Sequence, residues 1–400
     1  MGVREVGTLE QPRDVLVRFH EIALKGRNQG RFVAQLVDNL RRATTGLGVK
    51  RVWSERMLVR MRLDPAADWE PVRERVATVF GGVKFSLAHR VARDYDAIAG
   101  SVGELADARD FDTFRISARR ADKRFALTSG ELNIRLGDLV RERCSARVDL
   151  RHADLDIHVD VLHKDAFVYA EEHAGAGGLP VGTGGRVAVL MSGGIDSPVA
   201  AWRMMRRGCR VDLVHFHSFP LVEGRSREKA RELAEKLNAY QYDTRLLMVP
   251  FADLQQQLIL SVPGPLRVVA YRRFMVRIAE TLARRDGAKA LVTGESLGQV
   301  SSQTLQNIVT VDEAAGMPLL RPLIGMDKQE IIRQAEEIGT FETSILPDED
   351  CCTLFVPRSP STAVSAEDIA RAEADLDVDG LVRAAADATE VVEYHAPEAA

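Results

Sequence analysis

The C-terminal half of this chain reads as an α/β fold built on a doubly wound parallel sheet, preceded by smaller α+β units. Two observations predict it. Apolar runs of strand length at 187–191, 211–216, 245–249 and 289–293 alternate with helical segments at 198–207, 225–240 and 266–285, the βαβ rhythm of a parallel sheet. Between the first strand and the first helix stands Ser192-Gly193-Gly194-Ile195-Asp196-Ser197, a glycine turn that opens onto a helix N-terminus. The 400 residues, 46% hydrophobic, suffice for a large core and two or three domains.

Three sections follow in order. In the first, residues 1–63, Val15 to Phe19 is a strand and Gly26 to Gly30 a turn. Phe32, Leu36, Val37 and Leu40 have helical spacing, and Met57 to Leu63 alternates as a strand. In the second, residues 64–173, a helix from Trp69 to Val79 stops at Gly81-Gly82. Phe114 to Ala118 is a strand and Thr128 to Arg143 a helix. Leu155–Leu162 and Phe167–Ala170 form a hairpin around Lys164-Asp165. Half of the twelve residues 174–185 are glycine, which predicts a flexible linker. The parallel-sheet section occupies 186–400 and ends in an acidic helical tail, Ala366 to Tyr394.

The bulk composition narrows the function. The formal net charge is −4 and unevenly spread. Residues 1–124 carry 24 Lys+Arg against 17 Asp+Glu, whereas residues 351–400 carry 3 against 10. A polyanion therefore docks on the front of the chain if anywhere. Four cysteines make no disulfide framework and fit a reducing cytoplasm. The N-terminus shows no apolar signal core, and no run of about 18 uncharged apolar residues spans a membrane.

The glycine turn carries the chemistry. Glycines let the backbone approach phosphates, and the first N–H groups of the helix point at them. Ser192 and Ser197 add hydroxyls. Asp196 is the odd member: a carboxylate beside phosphates needs a counter-cation, for which Mg²⁺ is the usual answer. The Walker A spacing is absent. Ser192 to Ser197 instead resembles the pyrophosphatase loop (PP-loop) of enzymes that cleave ATP between its α and β phosphates and leave AMP on a substrate oxygen.

Ligands of such sheets sit at the C-terminal strand ends. This selects Leu190 and Met191, then His215 and Phe216, then Gly294 in a second glycine loop, with Gln303 beyond it. His215 reads either as a base or, since it ends an apolar strand, as a packing or adenine-contact residue. Arg272 and Arg273 lie on one helix, and spacing gives no reason to prefer either. Asp348-Glu349-Asp350-Cys351-Cys352-Thr353 sets two adjacent thiols in an acidic loop. Adjacent cysteines rarely bridge each other, and the spacing suits neither zinc nor an iron–sulfur cluster. An inert pair and a reactive pair both stay open. Cys144 reads as a core residue of an amphipathic helix, and Cys209, at a strand start, as either buried or facing the site.

Four motifs occur in order: Ser192 to Pro198, Val214-His215-Phe216-His217, Thr293 to Val300, and Glu349 to Thr353. Together they resemble the tRNA 4-thiouridine synthetase, or ThiI, family. The front half agrees. Glu21 to Gly26 resembles that family's ferredoxin-like segment, and Phe80 to Ser86 and Arg120 to Ser129 resemble its THUMP RNA-binding domain. The resemblance covers about residues 15–360. It implies an enzyme that adenylates the C4 oxygen of uridine eight in tRNA and lets persulfide sulfur displace AMP. It implies ATP contacts at Leu190, Met191, Ser192, Gly193, Gly194, Asp196, Ser197, His215, Phe216, Arg272, Gly294 and Gln303. Cys351 matches the cysteine that attacks the persulfide and forms a disulfide, with Cys352 and Cys209 as the other thiols. Arg119, Arg120, Lys123 and Arg124 would contact RNA phosphates.

Some family members carry a C-terminal rhodanese domain, and the reading of this sequence expects the form without one. A cysteine desulfurase or persulfide carrier is then the expected sulfur donor. A part in thiamine thiazole synthesis and the oligomeric state, a homodimer included, stay open. Two rival readings remain: another PP-loop tRNA modifier of the 2-thiouridine or lysidine type, and a non-catalytic THUMP RNA-binding protein. ATP–pyrophosphate exchange separates the last from the enzymes.

Overall fold

A computed structural model describes residues 11–221, 224–347 and 360–396, which divide after Gly177 into two compact units. The first opens on β1 (Asp14–Arg18), whose Val15, Leu16 and Val17 are all buried. A run apolar on both faces belongs inside a sheet. Then come α1 (Gln29–Ala43), β2 (Val49–Glu55), β3 (Leu58–Leu63), α2 (Trp69–Ala77), β4 (Lys84–Ala92) and α3 (Tyr95–Asp107). β5 (Thr113–Arg120) leads to α4 (Ser129–Arg143), whose N-terminus is closed by a Thr128/Glu131 capping box. The unit ends with β6 (Arg147–Val148), β7 (Leu155–Val161), β8 (Asp165–Tyr169) and β9 (His173–Ala174).

The strands form one sheet in the order β2-β3-β1-β4-β8-β7-β5-β6, with β9 pairing β4. Periodicity anticipated β1, α1, β3, α2, β5, α4 and the β7/β8 hairpin. It missed β2, β4 and α3. β4 pairs β1 along Asp14–Arg18 on one side and β8 on the other, so residues 84–92 join the sheet that the first section begins.

The glycine stretch 174–185 is a correction. Within the first unit, Gly175 N donates to Val83 O, and Gly177 N to Gly82 O, each at 2.8 Å. Within the second, Leu179 N bonds Arg206 O at 2.9 Å, and Gly182 and Gly184 N both bond Gly208 O. These glycines serve close approach rather than flexibility: a Cβ on Gly178, at φ +70°, would sit 2.2 Å from Arg206 O.

The second unit starts with β10 (Arg186–Leu190), α5 (Asp196–Arg206), β11 (Arg210–His217), α6 (Arg225–Gln241), β12 (Asp243–Pro250), α7 (Ala252–Ser261) and α8 (Arg267–Arg285). It continues with β13 (Leu291–Val292), α9 (Leu305–Asp312), β14 (Leu319–Leu320), α10 (Lys328–Glu337), α11 (Phe341–Ser344), α12 (Ala366–Glu373), α13 (Val378–Asp387) and β15 (Glu390–His395). The strand order is β14-β13-β10-β11-β12-β15. The first five run parallel, as predicted, and β15 pairs β12 antiparallel at the edge. The tail is therefore two helices and a strand, not helix to its end. Val391 and Tyr394 stand in a run whose exposed and half-exposed residues alternate, a period of two rather than 3.6. The chain winds outward from β10 through β11 and β12, then returns to β13 and β14 on its other side. The order reverses at β10, and the turn that follows β10 is the PP-loop. α8 packs its apolar face on the sheet through Val269, Ala270, Phe274 and Ile278, against Val214, Phe216 and Leu247. Among the described residues no helix is long and apolar enough to cross a membrane.

Candidate active site

The PP-loop is held by its own serines. Ser197 Oγ lies 3.0 Å from both the backbone N and O of Ser192 and 3.1 Å from Ser192 Oγ. Gly194 N reaches Ser192 Oγ at 3.3 Å. The turn is thus closed before any ligand arrives, and it leads into the N-terminus of α5, where N–H groups lack intrahelical partners. Ser197 is buried, so its hydroxyl braces the loop.

Asp196 begins α5, where a carboxylate is favoured by the helix dipole. The cation it demands comes from the chain. Lys328 Nζ sits 2.7 Å from Asp196 Oδ1, and Gln299 Nε2 donates to Oδ2 at 3.0 Å. Lys328 opens α10, fixed by the Asp327/Glu330 capping box. Sequence reasoning missed it, because 132 residues separate the pair. The capping box marks a helix start but not what it faces.

One cleft gathers most of the predicted nucleotide residues. Leu190, Met191, Ser192, Asp196, Ser197, His215, Phe216, Arg272, Gly294 and Gln303 line it, ten of the twelve. Gly193 and Gly194 stay in the turn and off the lining. Met275, Val276, Thr293, Glu295 and Val311 complete the wall. Their signal was available: Arg272, Met275 and Val276 share one α8 face at i, i+3 and i+4 spacing. Arg273 turns the other way, to Glu373 at 2.9 Å. Arg272 donates to Glu295 and thereby stays at the cleft.

The remaining wall residues have distinct parts. His215 Nδ1 lies 2.9 Å from Met191 O, so this histidine ties β11 to the start of the PP-loop. A Cβ on Gly294 would meet Ser197 N at 2.8 Å; this glycine lets the loop after β13 lie directly on the start of α5. Gln303 is buried, and its Oε1 has no partner among the described residues. A buried acceptor without a donor is costly, and the exocyclic amine of adenine would supply one. Next to the cleft, His217 is held neutral, its pKa lowered to about 4 by burial first and then by Arg227, His215 and Arg231.

The thiols separate. Cys209 is buried, its Sγ 3.6 Å from Gly184 O, and burial raises its pKa, the opposite of a reactive thiol. Cys144 is a correction: it caps α4 in an extended conformation and is half-buried at the edge of the core rather than within it. Cys351 and Cys352 lie outside the described residues.

In the first unit, the basic loop after β5 is organised around Asp122. Arg124, Arg93 and His163 all reach its carboxylate, at 2.9, 3.1 and 2.8 Å. The Arg124 bonds, with His163, hold the Asp122 carboxyl well below the usual carboxylate range. Arg120 donates through Nη1 to the carbonyls of Phe125 at 2.9 Å and Leu127 at 3.1 Å. These bonds tie Arg120 to the backbone of its own loop. Arg119, Lys123 and Arg124 are exposed around it.

Comparison with known proteins places these features. Residues 14–86 match the ThiI ferredoxin-like domain, residues 92–171 the THUMP domain, and residues 182–378 the family described as thiamine biosynthesis protein (ThiI). A Thermus thermophilus protein named "Probable tRNA sulfurtransferase" is 47% identical over 95% of this chain and 93% of its own length. A Geobacillus kaustophilus protein of the same name is 41% identical over 94% and 95%. Among solved structures, a 4-thiouridine synthetase in complex with RNA and bound ATP superposes with a TM-score of 0.86 at 34% identity, over 96% of this chain and all of that one. PH1313 from Pyrococcus horikoshii shares the fold, with a TM-score of 0.64 at 23% identity over 82% of this chain and 99% of that one.

Proposed function

The chain belongs to the ThiI family, and from that premise we propose that it is an ATP-dependent tRNA sulfurtransferase making 4-thiouridine. The observation that carries the reading is the cleft at the switch point of the second unit's sheet, where ten predicted nucleotide residues meet. Adenine lies between Phe216, Met275 and Val276, and its amine satisfies Gln303 Oε1. The PP-loop amides and the α5 N-terminus take the phosphates. Lys328 is available to leave Asp196 for them. Asp196 is the residue that would hold Mg²⁺, an ion that would offset the charge of the phosphates.

The reaction needs activation because the C4 oxygen of uridine leaves poorly. Attack of that oxygen on the α-phosphorus expels pyrophosphate and leaves AMP on the base. Persulfide sulfur then attacks C4, and AMP departs. The Cys351 thiolate takes the donor's remaining sulfur as a disulfide, which frees 4-thiouridine; a thiol reductant restores Cys351. The persulfide comes from a cysteine desulfurase or a carrier it loads, and the setting is the cytoplasm.

tRNA engages the first unit through Arg119, Lys123 and Arg124. Charge reversal at Arg119 and Lys123 weakens tRNA binding and flattens its dependence on log salt by about 2, one for each phosphate that no longer meets a cation. Titrations at several ionic strengths read this, and unchanged affinity would reassign the patch. Arg120 is left alone in that test, since its bonds to the Phe125 and Leu127 carbonyls would mix a loss of loop structure with a loss of charge.

The decisive experiment incubates tRNA with ATP, a persulfide source and the protein, and weighs the digested nucleosides. One uridine gains sulfur in place of oxygen at C4. Exchange of pyrophosphate into ATP without that product would point to a different PP-loop modification; no exchange and no product would leave an RNA-binding protein.

A further inference from the structure

One carboxylate in the nucleotide cleft has no part in the mechanism above. Glu295 lines the cleft and is 5% exposed. Its Oε1 accepts from Arg272 Nη1. Its Oε2 accepts from Arg321 Nε at 2.6 Å and from Thr293 Oγ1 at 2.9 Å. Arg321 spends its other nitrogens on Asp312, and it is not part of the cleft wall. An anion this deep in a cleft for phosphates would repel the ligand unless it were neutralised and put to use.

We infer that Glu295 is a positioning residue: it clamps one nitrogen of the Arg272 guanidinium so that the rest of its edge faces the phosphates of the bound nucleotide. The proposal rests on the reading of this cleft as an ATP site. Three features carry it. Arg272 bonds Glu295 through Nη1, and a guanidinium is a planar fork whose remaining N–H groups then point in a set direction. Arg321, half-buried and held by two carboxylates, faces Glu295 with a positive charge that does not come from the ligand. Gly294 packs against Asp196 and Ser197, so Glu295 departs from the backbone beside the helix end that receives the phosphates. A cation fixed in advance binds its anion without losing side-chain freedom at that moment. The second ion pair of the cleft is built differently: Lys328 is a flexible point charge, suited to changing partners.

A double-mutant cycle tests this by ATP titration of the full chain. Glu295→Gln keeps the shape and can still accept hydrogen bonds. It lowers ATP affinity about tenfold, the usual worth of one well-placed charged hydrogen bond. Arg272→Gln does the same. The double variant also loses about tenfold rather than a hundredfold, because the first residue acts through the second. Affinity for adenosine, which lacks the phosphates, stays within about twofold in all three. Thr293→Val, a milder change, weakens ATP binding less and has no effect in the Arg272→Gln background. Additive losses, undiminished ATP affinity in Glu295→Gln, or an equal loss for adenosine would each overturn the assignment. A wild-type chain that binds neither ATP nor adenosine would instead sink the reading of the cleft itself.

Discussion

Replacing Asp196 with alanine is expected to lower ATP–pyrophosphate exchange by at least about a hundredfold, the order of loss when a preorganised charge is removed from a reacting phosphate. Asp196 stands where three requirements meet. It starts the helix proposed to meet the phosphates, it holds Lys328 at 2.7 Å, and it is the carboxylate of the PP-loop. Alanine leaves the ammonium of Lys328 unplaced and removes the oxygen that would bind the metal. The fold survives, because a partly exposed pair of this kind contributes about 1 kcal/mol or less. tRNA binding persists as well, since the basic loop belongs to the other unit. Asp196→Asn, which keeps the bond to Gln299 but not the charge, should be nearly as inactive. Exchange at wild-type rate in either variant would remove Asp196 from the reaction.

Cys351→Ser should separate the two half-reactions. Exchange continues at its normal rate while 4-thiouridine falls to background. A serine hydroxyl is not ionised near neutral pH and does not attack a sulfur–sulfur bond, whereas a thiolate does. Nucleoside analysis after incubation with ATP and persulfide checks the second half, and exchange checks the first. Normal thiolation would transfer the role to Cys352. Cys209 is the weaker alternative, for its thiol is buried and its pKa raised.

Local chemistry explains which parts of the fold were legible. β10, the PP-loop and α5 are a contiguous apolar run, a glycine turn and a helix start, and each is encoded within about a dozen residues. α4 was legible too, as a helix-length run over Thr128 to Arg143, and the structure adds the Thr128/Glu131 capping box that closes it. β4 was not. Its buried and exposed residues do not alternate cleanly along Lys84–Ala92, and its partner changes along its length, from β1 at Lys84–Ala88 to β8 at His89–Ala92. Residues 174–185 misled because glycine composition has two physical uses, freedom and close approach. Only the neighbours, here Arg206, Gly208 and Gly82, decide between them.

The sequence alone determined the motifs, the strand–turn–helix that meets phosphate, and the family they point to. Which of two adjacent arginines enters the cleft, that Lys328 answers Asp196, that Glu295 joins Arg272 to Arg321, and that Arg120 bonds the carbonyls of its own loop were decided by tertiary structure. The reason is one of range. Backbone conformation follows from neighbours in the chain, but the partner of a charge is whatever the packing of distant elements brings within about 3 Å, and no local pattern encodes that distance.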